Sequence, residues 1–84
     1  MPKIPRDIPG KVLVSLLKKF GYIPIRQTGS HIRLLSNYTG AEHKITVPDH
    51  RYIKIKTLNN ILNDVSQYLE ISKEELIENL FVPE

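Results

Sequence analysis

Residues 22–50 read YIPIRQTGSHIRLLSNYTGAEHKITVPDH, and this stretch decides the fold. Two turn signals, Thr28-Gly29-Ser30 and Asn37-Tyr38-Thr39-Gly40, cut it into three short apolar–polar segments. Residues 31–36 place Ile32 and Leu34 on one face and His31, Arg33 and Leu35 on the other. Residues 42–47 place Ile45 and Val47 inward and Lys44 and Thr46 outward. Residues 22–27 alternate Ile23 and Ile25 inward, and Pro24, which has no amide donor, marks this strand as an edge or a bulged one. The outer face of the sheet therefore gathers His31, Arg26, Arg33 and Lys44.

Helices flank the three strands. Before them, Val12, Leu13, Leu16, Leu17 and Phe20 follow helical spacing from Pro9-Gly10, and Gly21 provides the stop. After Pro48 a basic loop covers residues 48–56. Thr57 is the expected N-cap of a second helix, with Leu58, Ile61, Leu62, Val65 and Leu69 on its apolar face. Ser72-Lys73-Glu74-Glu75 is a capping-box pattern for a short third helix carrying Leu76, Ile77 and Leu80. The expected fold class is α+β, an α-β-β-β-α order like that of double-stranded-RNA-binding domains, with a three-stranded antiparallel sheet on two helices and a short extra C-terminal helix. The 84 residues are read as a single domain: an N-terminal arm over 1–9, a core over 10–71, and a C-terminal helix and tail over 72–84.

Charge is distributed unevenly. Residues 1–56 carry eleven Lys and Arg against Asp7, Glu42 and Asp49, a balance of +8. Residues 57–84 carry Lys73 against six acids, a balance of −5, which leaves the net +3. A basic body of this kind suits a polyanionic partner. The chain has no cysteine, which excludes disulfides and thiolate metal sites. No apolar run reaches a membrane span and no secretory leader is evident, so a cytoplasmic location without membrane association is expected. A zinc site from His31, His43 and His50 is disfavoured, because strand parity sends His31 and His43 to opposite faces. No metal and no small-molecule cofactor is implied.

The residues that can do chemistry converge on Gly29-Ser30-His31. For a polyanionic partner such as RNA, these residues are compatible with metal-free scission, in which the neighbouring 2′-hydroxyl is the nucleophile. It needs a base for that proton, an acid for the departing 5′-oxygen, and cations for the phosphate. Histidine titrates near neutrality and serves either proton role. Arg26, Arg33 and Lys44 supply cations from the sheet, and Lys54 and Lys56 from the loop. Gly29 and Ser30 are small enough for a close backbone approach to phosphate. His50 is the secondary candidate for proton transfer if its loop folds near His31; the plainer reading has it ordering the loop through hydrogen bonds. Tyr22, Tyr38 and Tyr52 are candidates for stacking on bases.

Three segments together resemble one family. Gly21-Tyr22 with Arg26-Gln27-Thr28-Gly29-Ser30-His31, then Ile45-Thr46-Val47-Pro48-Asp49-His50, then Lys56-Thr57-Leu58-Asn59-Asn60-Ile61-Leu62 are similar, in order and spacing, to the HicA (YcfA-like) mRNA interferase toxins of toxin–antitoxin systems. The resemblance covers about residues 10–76. It implies a double-stranded-RNA-binding-like fold, a metal-independent endoribonuclease acting on mRNA, a single catalytic histidine at His31, and a HicB-type antitoxin as inhibitory partner. This chain departs from the family pattern at Ile32, at Lys56 where a glycine commonly precedes Thr-Leu, and in its extension over 78–84. Two other readings compete: a non-catalytic RNA-binding module, and a decayed toxin that keeps only its antitoxin affinity.

Overall fold

The computed structural model describes residues 4–81. Its elements are helix α1 (Gly10–Leu17) running into a 3₁₀ turn (Lys18–Phe20), strands β1 (Ile23–Thr28), β2 (His31–Ser36) and β3 (His43–Pro48), and helices α2 (Ile55–Leu69) and α3 (Lys73–Phe81). The strands form one antiparallel sheet in the order β1-β2-β3. This is the expected α+β, double-stranded-RNA-binding-like arrangement with an added third helix. Among the described residues no helix is long and apolar enough to cross a membrane.

The central strand reads as its parity predicts. Ile32 and Leu34 of β2 and Ile45 and Val47 of β3 are buried with Leu13, Val14 and Leu17 of α1 and Leu58, Leu62 and Val65 of α2. Leu76, Ile77 and Leu80 of α3 belong to the same cluster, so the third helix closes the core rather than merely following it. Ser72 caps that helix as expected: its Oγ accepts the Glu75 N–H at 3.0 Å.

β1 departs from the expectation. Ile23 and Ile25 are 55% and 45% exposed rather than inward. The cause is a bulge: Pro24 pairs with Leu34, but the next pair is Arg26 with Arg33, which leaves Ile25 without a partner. The extra residue inverts the parity of what precedes it, so Ile23 pairs with Leu35 on the outer face. On the turn side of the bulge the register is regular from the Thr28–His31 pair, and it sets Arg26 directly opposite Arg33. Tyr22, fully buried, takes the core position that Ile23 does not fill. Stacking of Tyr22 on a base is thereby ruled out, whereas Tyr38 and Tyr52 are exposed.

Two helix details also differ. In α1 the buried face is Leu13, Val14, Leu17 and then Phe20. Val12 is exposed and Leu16 only half-buried, since the stripe turned to the core runs through Gly10, Leu13, Val14 and Leu17. Gly21 ends this turn in the left-handed conformation (φ 79°), as expected of a glycine stop. Helix α2 starts at Ile55, two residues before the Thr57 cap that sequence suggests, with extended Lys54 at its N-cap and no side-chain cap bond. The basic loop is therefore shorter, and Lys56 falls within the first helical turn.

Gly10 matters for a different reason. A Cβ there would fall well inside contact distance of the Pro48 carbonyl oxygen and 3.0 Å from Asp49 Cα, both backbone atoms that cannot swing away. Its N–H also donates to the His50 carbonyl at 3.0 Å. Alanine normally favours a helix over glycine by about 1 kcal/mol. Here Gly10→Ala is expected to destabilise instead, by about 1–3 kcal/mol of overpacking. Thermal unfolding followed by circular dichroism checks this; an unchanged or higher midpoint would contradict the close approach.

Candidate active site

The two-residue turn Gly29-Ser30 joins β1 to β2, with Thr28 and His31 as its closing pair. Gly29 has φ 57°, a conformation glycine adopts without penalty, and its Cα faces open space. His31 thus begins the central strand on the outer face, exposed to solvent, with Pro48 of β3 as its other neighbour.

Around His31 the outer face is concave on two sides. One depression, of about 230 Å³, is lined by Arg26, Thr28, His31, Arg33 and Thr46. A second, of about 350 Å³, is lined by His31, Thr46, Pro48, His50, Lys54 and Thr57. His31 and Thr46 belong to both, so the two form one shallow track across the sheet. Arg26 and Arg33 are directly cross-strand and lie on one side of His31; His50 and Lys54 lie on the other. Two arginines side by side without an acid between them repel each other, and an anion between them relieves that repulsion.

The loop that carries His50 and Lys54 is pinned at three points. Asp49 N–H donates to the Ser30 carbonyl at 2.6 Å, Gly10 N–H to the His50 carbonyl, and Ile53 N–H to the Ile8 carbonyl at 2.8 Å. Gln27 Nε2 adds a bridge, donating to the Gly29 carbonyl at 3.0 Å and to Asp49 Oδ2 at 3.2 Å. These bonds join the Gly29-Ser30-His31 turn to the Pro48-Asp49-His50 segment, two pieces 19 positions apart in the chain.

Not every basic residue named from the sequence joins this track. Lys44 pairs with Leu35, farther along the sheet, and lines a separate depression with Arg33, Thr46, Asn60 and Asp64. Arg33 and Thr46 connect that depression to the one beside His31. Lys56 is exposed in the first turn of α2 and lines none of these three depressions. Ser30 contributes its backbone carbonyl to the loop clamp and is exposed.

A second polar cluster escaped the sequence reading. On the face opposite His31, the Tyr22 hydroxyl lies 2.6 Å from His43 Nδ1, and His43 Nε2 lies 3.3 Å from Asp64 Oδ1. One tautomer serves both contacts: Nε2–H donates to Asp64 and Nδ1 accepts from Tyr22. Tyr68 stacks on the His43 ring at 4.5 Å, and its hydroxyl bonds the Ala41 carbonyl and accepts the Thr39 N–H. Burial, then the neighbouring Tyr68 and Asp64, push the Tyr22 phenol above its ordinary range, so it stays a protonated donor. The cluster ties the start of β3 to α2. Strand parity alone put His43 away from His31, but its partners come from α2 and from the link before β1, and no local pattern announces them.

Among protein-family models, the one described as HicA toxin of bacterial toxin–antitoxin matches residues 10–66. That span runs from the first residue of α1 through most of α2 and contains every residue lining the two depressions beside His31. Searches among curated proteins and among solved structures gave no significant match.

Proposed function

The chain belongs to the HicA toxin family of bacterial toxin–antitoxin systems, and from that premise we propose that it is a metal-independent endoribonuclease that cleaves mRNA through His31. The observation that carries this reading is the position of His31 on an open sheet face, sharing one depression with the cross-strand pair Arg26 and Arg33. The arginines hold the scissile phosphate and stabilise the charge that builds on it. His31 takes the proton of the adjacent 2′-hydroxyl as its oxygen attacks phosphorus. Lys44 and Lys56, set apart from the reacting centre, bind flanking phosphates and contribute salt-dependent affinity. Gly29, with open space over its Cα, lets the RNA backbone come close at the turn.

Family membership implies an antitoxin partner. In this reading it is a HicB-type protein that covers the outer sheet face and so blocks RNA from the track. Expression of the chain in a bacterium is expected to stop growth and deplete mRNA within minutes of induction. Co-expression of its HicB-type partner is expected to restore growth. Continued growth with intact mRNA, from cells that accumulate the folded chain, would overturn the ribonuclease reading.

A further inference from the structure

A single histidine accounts for only one of the two proton transfers in this chemistry. We propose that His50 is the second: it donates the proton to the departing 5′-oxygen while His31 accepts that of the 2′-hydroxyl. The inference rests on the ribonuclease reading above and extends it to a second catalytic residue.

The placement of His50 carries the argument. His50 lies outside the regular elements, yet its backbone is not free. Asp49, immediately before it, is bonded to Ser30, and its own carbonyl accepts the first amide of α1. Gly10 has no side chain because the backbone of Pro48 and Asp49 occupies that space. The position of His50 relative to His31 is thus set by the sheet on one side and by α1 on the other, as an acid–base pair requires. None of these bonds uses the imidazole, so loop order is secured without it and the ring remains available for chemistry.

His31 and His50 line the same depression of about 350 Å³. The remaining polar lining is Thr46, Thr57 and Lys54. Of these, none rivals histidine as a group that holds a proton at neutral pH and still releases it in a transition state. Lys54 instead offers a fixed positive charge beside the leaving group. The phosphate then lies at His31, with Arg26 and Arg33 on one side and His50 and Lys54 on the other.

The step balances. His31 nitrogen takes the 2′-hydroxyl proton, and the O2′–P bond forms. The P–O5′ bond breaks as protonated His50 gives its proton to O5′. The products are a 2′,3′-cyclic phosphate end and a free 5′-hydroxyl, with His31 protonated and His50 neutral. Proton exchange with water resets both.

The test uses an RNA oligonucleotide that the wild-type chain cleaves, made with either oxygen or sulfur at the bridging 5′ position of the scissile linkage. A thiolate leaves without needing a proton. On the oxygen substrate, His50→Gln is expected to lower kcat/KM by about 10²-fold or more, the usual scale of general acid catalysis. On the sulfur substrate, the same variant is expected to fall within about tenfold of wild type, because the missing acid is no longer required. His31→Ala should remain defective on both. His50→Asn, which also keeps a polar side chain, serves as a second variant should His50→Gln fold poorly. An equal defect of both His50 variants on the two substrates would overturn the proposal, since it would mark a binding or structural role. Near-wild-type cleavage of the oxygen substrate would overturn it as well. Wild-type cleavage by His31→Ala would instead count against the underlying ribonuclease reading.

Discussion

His31→Ala is expected to lower RNA cleavage by about 10²–10⁴-fold, the range set by losing a general base. At about 1.4 kcal/mol per tenfold, that is roughly 3–5 kcal/mol of transition-state stabilisation. Folding should hardly change. His31 is exposed, its side chain fills no core space, and surface substitutions of this kind usually stay within about 0.5 kcal/mol. Activity and stability therefore separate at this position. The check is a single-turnover cleavage rate measured beside a thermal melt: the rate collapses and the midpoint stays. A variant that melts early would leave its lost activity attributable to unfolding, so the two measurements belong together. Toxicity on expression should disappear with the rate.

Leu34→Ala is expected to have the opposite signature. Leu34 is fully buried at the middle of the central strand, on the face turned away from Arg33. Removing its side chain deletes apolar contacts and leaves a cavity that the sheet and helices cannot fully close. Such truncations cost about 2–5 kcal/mol. A domain of this size has a total stability of roughly 4–13 kcal/mol, so the loss is a large part of the whole. The melting midpoint should fall by roughly 8–40 °C. At temperatures where the variant remains folded, its cleavage rate should stay close to wild type, because Arg33 and His31 are set by strand register rather than by Leu34. Thermal unfolding with parallel activity at low temperature checks both halves. A melt unchanged from wild type would mean that this strand does not lie at the centre of the core.

The contrast between these two neighbours explains what sequence could reveal. Alternation in β2 and β3 is strong, with Ile32, Leu34, Ile45 and Val47 on one side and charged residues on the other, and the structure keeps that division. Parity was enough to put His31 and Arg33 on one open face. In β1 the same logic failed for Ile23 and Ile25, because an edge strand tolerates a bulge and one extra residue inverts everything before it. Pro24 hinted at the irregularity but not at its register. The helix start at Ile55 has no sequence signal, because no side chain caps it.

The site was legible in part. Gly29-Ser30-His31 stood out as a local motif. The closeness of His50 and Lys54 did not, since it depends on the Asp49–Ser30, Gly10–His50 and Ile53–Ile8 bonds, which join distant parts of the chain. Charge counting did not separate Lys44 and Lys56, which share the basic body but lie outside the two depressions beside His31, from the cations that line them. Long-range hydrogen bonds and strand register, not composition, select which cations line the depressions beside His31.

The central claim is that this HicA-family chain cuts RNA at its own 2′-hydroxyl with His31 in the reacting centre. Its most direct test is to incubate purified wild-type and His31→Ala chains with RNA in excess chelator and to identify the new ends. The account predicts fragments from the wild type ending in 2′,3′-cyclic phosphate and 5′-hydroxyl, and intact RNA from the folded variant. Fragments carrying 3′-hydroxyl and 5′-phosphate ends, or equal cleavage by the variant, would contradict it.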